Sequence, residues 1–250
     1  MNTAILIDLD FFIRRYKHFH PEFKNYKPQE QATIIAKAIQ KHCNKHIRYE
    51  CDQRVKQAKR RNNALRNASE CKPNRLFRIF VYDCPPLERR GVHHPKTGKP
   101  IDFSKTDIAI FRRTLHDKIK EMPLTALRLG KLDENNIRWV ISNEKKYKNL
   151  LRGEITIADI NENEFKIDVQ QKQVDMKIGI DITWLSLKRL VDQIVLVSGD
   201  SDFVPVAKLA RKEGITFVLD AMHHKLTPDL LEHIDYLRTP YLESPERLVI

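Results

Sequence analysis

Four short apolar runs in this chain end in an aspartate: AILID (4–8), LFRIFVYD (76–83), QIVLVSGD (193–200) and ITFVLD (215–220). Runs of this kind suit strands buried on both faces, and such strands belong to parallel sheets covered by helices. The segments between them carry helical spacing. FFIRRYKHF follows the first run, TDIAIFRRTLHDKIKEM covers 106–122, a third helix reads from Met176 to Val191, and DFVPVAKLARKEG closes on a glycine stop. Strands alternating with helices predict an α/β fold, a mainly parallel Rossmann-like sheet with helices on both faces. A ligand in such a sheet sits beyond the carboxyl ends of the strands, where Asp8, Asp83, Asp200 and Asp220 fall.

With 250 residues the chain suits one domain, 1–250, that carries two insertions. Residues 29–70 lack Pro and Gly and are rich in Ala, Gln, Lys and Arg, so 24–75 reads as a basic helical insertion, a hairpin laid over the core. ALRLGKL (126–132) is a further strand. After it IRWVIS, EITIADI and EFKIDV read as a small antiparallel β-meander over 137–170. LESPERLVI is a docked or loose extension.

A net charge of +12 makes polyanions the first partners to consider. From Lys41 to Arg75 eleven Lys and Arg stand against Glu50, Asp52 and Glu70, which places +8 of the +12 in one stretch. A solvated helix face explains such a stretch as readily as nucleic acid does. Apolar residues make up 41% and no run approaches the roughly 18 that a membrane span needs. The start, MNTAILIDLDFFIRRY, is a poor signal peptide, so the expectation is a cytoplasmic protein with no membrane partner. The four cysteines, Cys43, Cys51, Cys71 and Cys84, show no CxxC spacing and are expected reduced. A zinc site built from His42, Cys43, His46 and Cys51 lacks the usual tetrahedral signatures.

VSGDSDF sets Asp200 just past a strand and Asp202 at a helix start, where free N–H groups favour anions. Helix capping by Asp202 is the plainer reading, and it leaves Asp200 unaccounted for. In QKQVDMKIGIDIT, Asp175 opens a helix and Asp181 lies six residues on, about 120 degrees further around the axis. One of the two is then nearer a shared centre than the other. Several carboxylates at one rim need a cation to stay ionised, and aspartates without Cys or His suit Mg²⁺ or Mn²⁺.

In order, AILIDLDFFIRRY, FRIFVYDCPP, LRLGKL, QKQVDMKIGIDI and VSGDSDFVPVAKLARKEG resemble the NYN domain, in its LabA-like branch, within the PIN-like nuclease superfamily. The resemblance covers most of the chain outside the basic stretch and implies a metal-dependent ribonuclease. Carried over by position, it implies that Asp8, Asp175 and Asp200 form the acidic centre, with Asp181 added as the acid of the preceding helix and Asp202 as a ligand through water. Many NYN proteins read D-G-x-N after the first strand, whereas Leu9, Asp10 and Phe11 follow Asp8 here, leaving Asp10 as a substitute. The glycine of KGVD is replaced by Gln173.

RNA is the expected partner, with single-stranded DNA next, and a homo-oligomer or protein partner stays open. Arg14, Arg15 and Lys172 are the expected phosphate contacts near the centre, with Lys56, Lys59, Arg60, Arg61 and Arg66 gripping the backbone. As an ordinary surface lysine, the plainer reading, Lys172 needs no explanation, and His93, His94, His223 and His224 read as loop residues. Two alternatives stand beside the nuclease. One is a catalytically weak RNA- or partner-binding module of the same fold. The other is a haloacid-dehalogenase-like phosphatase, whose late motif would need an acid where Val204 stands.

Overall fold

A computed structural model of the chain describes residues 1–60 and 72–248, and the side chains of Glu50, of residues 54–60 and of Asn135 are not described. Its centre is a sheet of six strands, all parallel: β1 (Asn2–Asp8), β2 (Arg75–Asp83), β5 (Thr125–Leu129), β10 (Gln193–Val197), β11 (Thr216–Asp220) and β12 (Tyr236–Leu237). The order across the sheet is β12-β11-β10-β1-β2-β5, so the first strand lies in the interior. Three antiparallel pairs complete the β structure: β3 (Val92–His93) with β4 (Pro100–Ile101), β6 (Lys131–Leu132) with β9 (Gln171–Lys172), and β7 (Arg138–Ile141) with β8 (Phe165–Asp168).

Helices cover both faces, and strand alternation divides the core between them. Ile5 and Ile7 of β1 pack with α1 (Leu9–Phe19), α2 (Pro28–Arg60) and α3 (Asp107–Glu121). Ala4 and Leu6 face the other way, toward α5 (Val174–Leu187), α6 (Val204–Lys212) and α7 (Pro228–Glu232). The α/β class and the main strands and helices agree with the sequence reading.

Two expectations change. Over its described length α2 is one continuous helix, the rest of the expected hairpin (61–71) lying outside the described residues, and its first half is core: Ile34, Ile35, Ala38, Ile39 and Cys43 are buried under the sheet. Its apolar residues are spaced for one face, and the dense Lys and Arg around them conceal that stripe. The meander is also smaller than expected. EITIADI forms no strand: Thr156 and Asp159 close a capping box on a short 3₁₀ turn, and the residues before it form α4 (Glu144–Leu151). The C-terminal segment docks, with Leu248 buried and Tyr16 donating its hydroxyl to the Glu243 carbonyl at 2.9 Å.

Cys43 and Cys84 are free and buried, and Cys71 lies outside the described residues. Among the described residues no helix is long and apolar enough to cross a membrane.

Candidate active site

Because β1 and β10 are neighbours in register, Ile7 opposite Val197, their carboxyl ends bring Asp8 beside the Ser198–Gly199–Asp200 turn. Asp8 caps α1, accepting the Phe11 N–H at 3.1 Å. Asp200 caps the 3₁₀ turn Ser201–Phe203 by accepting the Asp202 N–H at 2.9 Å, so the capping expected of Asp202 falls to Asp200. Both carboxylates line an open pocket of about 520 Å³ with Phe11, Arg14, Arg15 and His224. Gly199 is required there, since a Cβ would lie 2.8 Å from the Phe11 ring and 2.9 Å from the His224 ring.

Asp175, in the first turn of α5, completes the group from the other face of the sheet. Burial pushes the Asp8 carboxyl up to about 6, with Asp10 and Asp175 adding repulsion, while the Phe11 N–H and Arg14 pull it back. Asp175 is also raised, by burial and then by Asp200 and Asp202. Negative charge here is under-compensated, the condition in which a bound cation stabilises a carboxylate group. No three of these carboxylates have oxygens within 4.8 Å of one another, so they do not form a ready-made ion cage.

Asp181 is not part of this group. It accepts the Tyr82 hydroxyl at 2.7 Å and lies 3.3 Å from the Arg128 guanidinium, in a separate depression under Trp184. The other rim acids are also engaged. Asp10 lies between Arg14 (3.1 Å) and Arg112 (2.7 Å), so it does not substitute for a free ligand. Asp83 is buried against Arg112 and His116; burial works to raise its carboxyl, but the two bases prevail and hold it low.

Among the expected phosphate contacts, Arg14 and Arg15 do border the pocket. The Arg15 Nε donates to the Met222 carbonyl at 2.9 Å and its guanidinium lies over Phe19. Lys172 is paired with Asp133 at 2.5 Å. The side chains of Lys56, Lys59 and Arg60, and residues Arg61 and Arg66 entirely, lie outside the described residues. His18, not singled out in the sequence, and His224, expected only as a loop residue, also border the pocket. The signal for His224 was its position just past the aspartate-ended strand β11.

Asp220 belongs to a different structure. His42 and His46, one turn apart on α2, place their Nε2 atoms 2.5 and 2.8 Å from its Oδ2, and the Met222 N–H and Thr239 hydroxyl donate to its Oδ1. The three side chains are of metal-ligating type and lie together, but neither Cys43 nor Cys51 joins them. With every Asp220 oxygen bonded and Arg238 nearby, the cluster reads as a hydrogen-bonded fastening between α2 and β11.

No curated protein matches the chain in sequence. A crystal structure of a protein of unknown function from Vibrio parahaemolyticus is similar over 94% of this chain and 90% of its own, at 11% identity and a TM-score of 0.41. A sequence model of the NYN domain matches residues 112–237, which include Asp175, Asp200 and Asp202. With half of its length under that match, the chain belongs to the NYN domain family, a family of PIN-like nucleases.

Proposed function

We propose that this protein is a metal-dependent ribonuclease of the LabA-like branch, with Asp8, Asp175 and Asp200 holding Mg²⁺ or Mn²⁺ and Asp202 acting through water. The observation that carries the reading is the under-compensated carboxylate group at the carboxyl ends of β1 and β10, where burial and mutual repulsion raise Asp8 and Asp175. When bound, a divalent ion supplies a water of lowered pKa and a counter-charge for the phosphodiester oxygens. Asp8 and Asp200 are fixed by their capping bonds, so little ordering remains when the site fills. Arg14, Arg15, His18 and His224 surround the same pocket and suit the phosphates on either side of the scissile bond. The basic stretch around Lys56, Lys59, Arg60, Arg61 and Arg66 extends that grip along the backbone without reading sequence. Asp181 is assigned to Arg128 and Tyr82, outside the metal group.

The alternative of a weakly active RNA-binding module gains one observation: Phe11, where many relatives differ, packs edge-on to His224 at 5.9 Å and narrows the pocket. The test is cleavage of labelled single-stranded RNA, with single-stranded DNA alongside, by wild type and Asp200→Asn in Mn²⁺, Mg²⁺ or EDTA. Cleavage that disappears in EDTA and in the variant is expected. RNA bound but uncut under every condition would replace the nuclease by the binding module.

A further inference from the structure

A second cleft, of about 580 Å³, lies between the Cys84–Leu87 segment leaving β2, the β3–β4 hairpin, the start of α3 and the β7–β8 pair. The half-buried rings of Phe103, Trp139 and Phe165 line it. They form one cluster, since His94 meets Trp139 and Phe165 edge-on at 5.2 and 5.3 Å and Phe103 lies 6.4 Å from Trp139. Charge in the cleft is balanced. Arg112 is bonded by Asp83 and Asp10, and Glu162 and Lys166 set one acid and one base along the wall. Such a lining offers no net charge to a phosphate and suits a flat, uncharged group with apolar faces and a polar edge.

The cleft adjoins the acid group at two points. Arg112 holds Asp10, whose charge acts on Asp8. On the other side, a Cβ on Gly130 would meet both the Cys84 Sγ (3.1 Å) and the Val174 side chain (2.9 Å), and Val174 directly precedes Asp175. A chain whose phosphate lay against the acids would therefore have this cleft within reach of a neighbouring base.

We infer that the cleft receives a nucleobase of the single-stranded RNA whose phosphodiester lies at Asp8, Asp175 and Asp200, stacked among Phe103, Trp139 and Phe165. The inference takes its substrate class from the ribonuclease reading, but it is tested by binding and not by cleavage. Stacking of this kind tolerates any base, so the cleft positions the strand without selecting a sequence.

The chain has two tryptophans, and Trp184 lies apart on α5 beside Lys188. The full-length chain carrying Trp184→Phe, so that Trp139 alone emits, and Asp200→Asn, so that the strand stays intact, is titrated with a short single-stranded oligoribonucleotide in Mg²⁺. Saturable quenching of Trp139 is expected. Phe103→Leu and Phe165→Leu keep apolar bulk while removing a ring, and each should weaken RNA binding by about tenfold, the scale of one lost base stack. Neither should change binding of an abasic ribose-phosphate oligomer. RNA that binds, by anisotropy of a labelled strand, with no change in Trp139 emission or with equal affinity to the leucine variants would overturn the inference and leave the nuclease reading intact. Quenching in the titrated chain, with no cleavage by the wild type in Mn²⁺ or Mg²⁺, would retain the cleft and remove the nuclease. No binding of RNA by any form would overturn both.

Discussion

Asp8 sits at the end of the first strand with its carboxyl pushed up to about 6, chiefly by burial. In the metal-free protein the folded chain then holds this proton more tightly than the unfolded chain. Ionising Asp8 therefore costs stability, a cost that grows from about pH 4 and is complete above about 6. Asp8→Asn keeps an oxygen for the Phe11 N–H and removes the charge. In EDTA at pH 7.5 it should be more stable than wild type by about 3 kcal/mol, a gain that vanishes near pH 4, while cleavage is lost. Urea unfolding at the two pH values checks this, and a less stable variant at pH 7.5 would contradict the electrostatic picture. Asp181 supplies the contrast. Asp181→Asn should retain cleavage within about threefold of wild type, whereas Asp200→Asn should lose a hundredfold or more, as removal of a metal-holding charge does. Equal losses in initial-rate assays would return Asp181 to the metal group.

At the level of elements, the turn entering α5 has a distinct prediction. Gln173 precedes the helix at φ +73°, a left-handed conformation that glycine adopts freely and other residues do at a cost. The glycine that related sequences carry in KGVD thus has a physical reason, and its replacement is a strain at the base of Asp175. Gln173→Gly should stabilise the protein by about 0.5–1 kcal/mol, seen as a higher urea midpoint at unchanged slope, without loss of cleavage. The aspartate-ended strands were legible because each is a short continuous apolar run closed by an acid, and the helices between them because of their helical spacing. The middle of the expected meander was not, because EITIADI alternates like a strand while Thr156 and Asp159 satisfy the backbone locally. Nor did the sequence separate Asp181 from Asp175. Helical spacing put them on different faces, but only Tyr82 and Arg128, from strands far along the chain, decide where Asp181 points.

For the whole molecule, His42 and His46 fasten α2 to β11 through Asp220, and Asp220 in turn holds the turn that carries His224. Burial keeps the His46 ring neutral, with its pKa lowered, against the pull of Asp220. Its unfolded counterpart takes up a proton below about pH 6.5, so this site destabilises the fold as pH falls, opposite in sign to Asp8. In an Asp8→Asn background, unfolding free energy should fall between pH 7 and 5 by up to about 1.4 kcal/mol per pH unit, and His46→Gln, which keeps a donor for Asp220, should flatten that slope. A slope unchanged by His46→Gln would assign the acid sensitivity elsewhere. The interior position of β1 has a consequence for biosynthesis. The strand bearing Asp8 is made some 190 residues before its neighbour β10 and the turn bearing Asp200. A nascent chain therefore cannot bring Asp8 and Asp200 together until β10 has emerged from the ribosome, so whatever chemistry that pair supports is withheld while the intervening segments are being made.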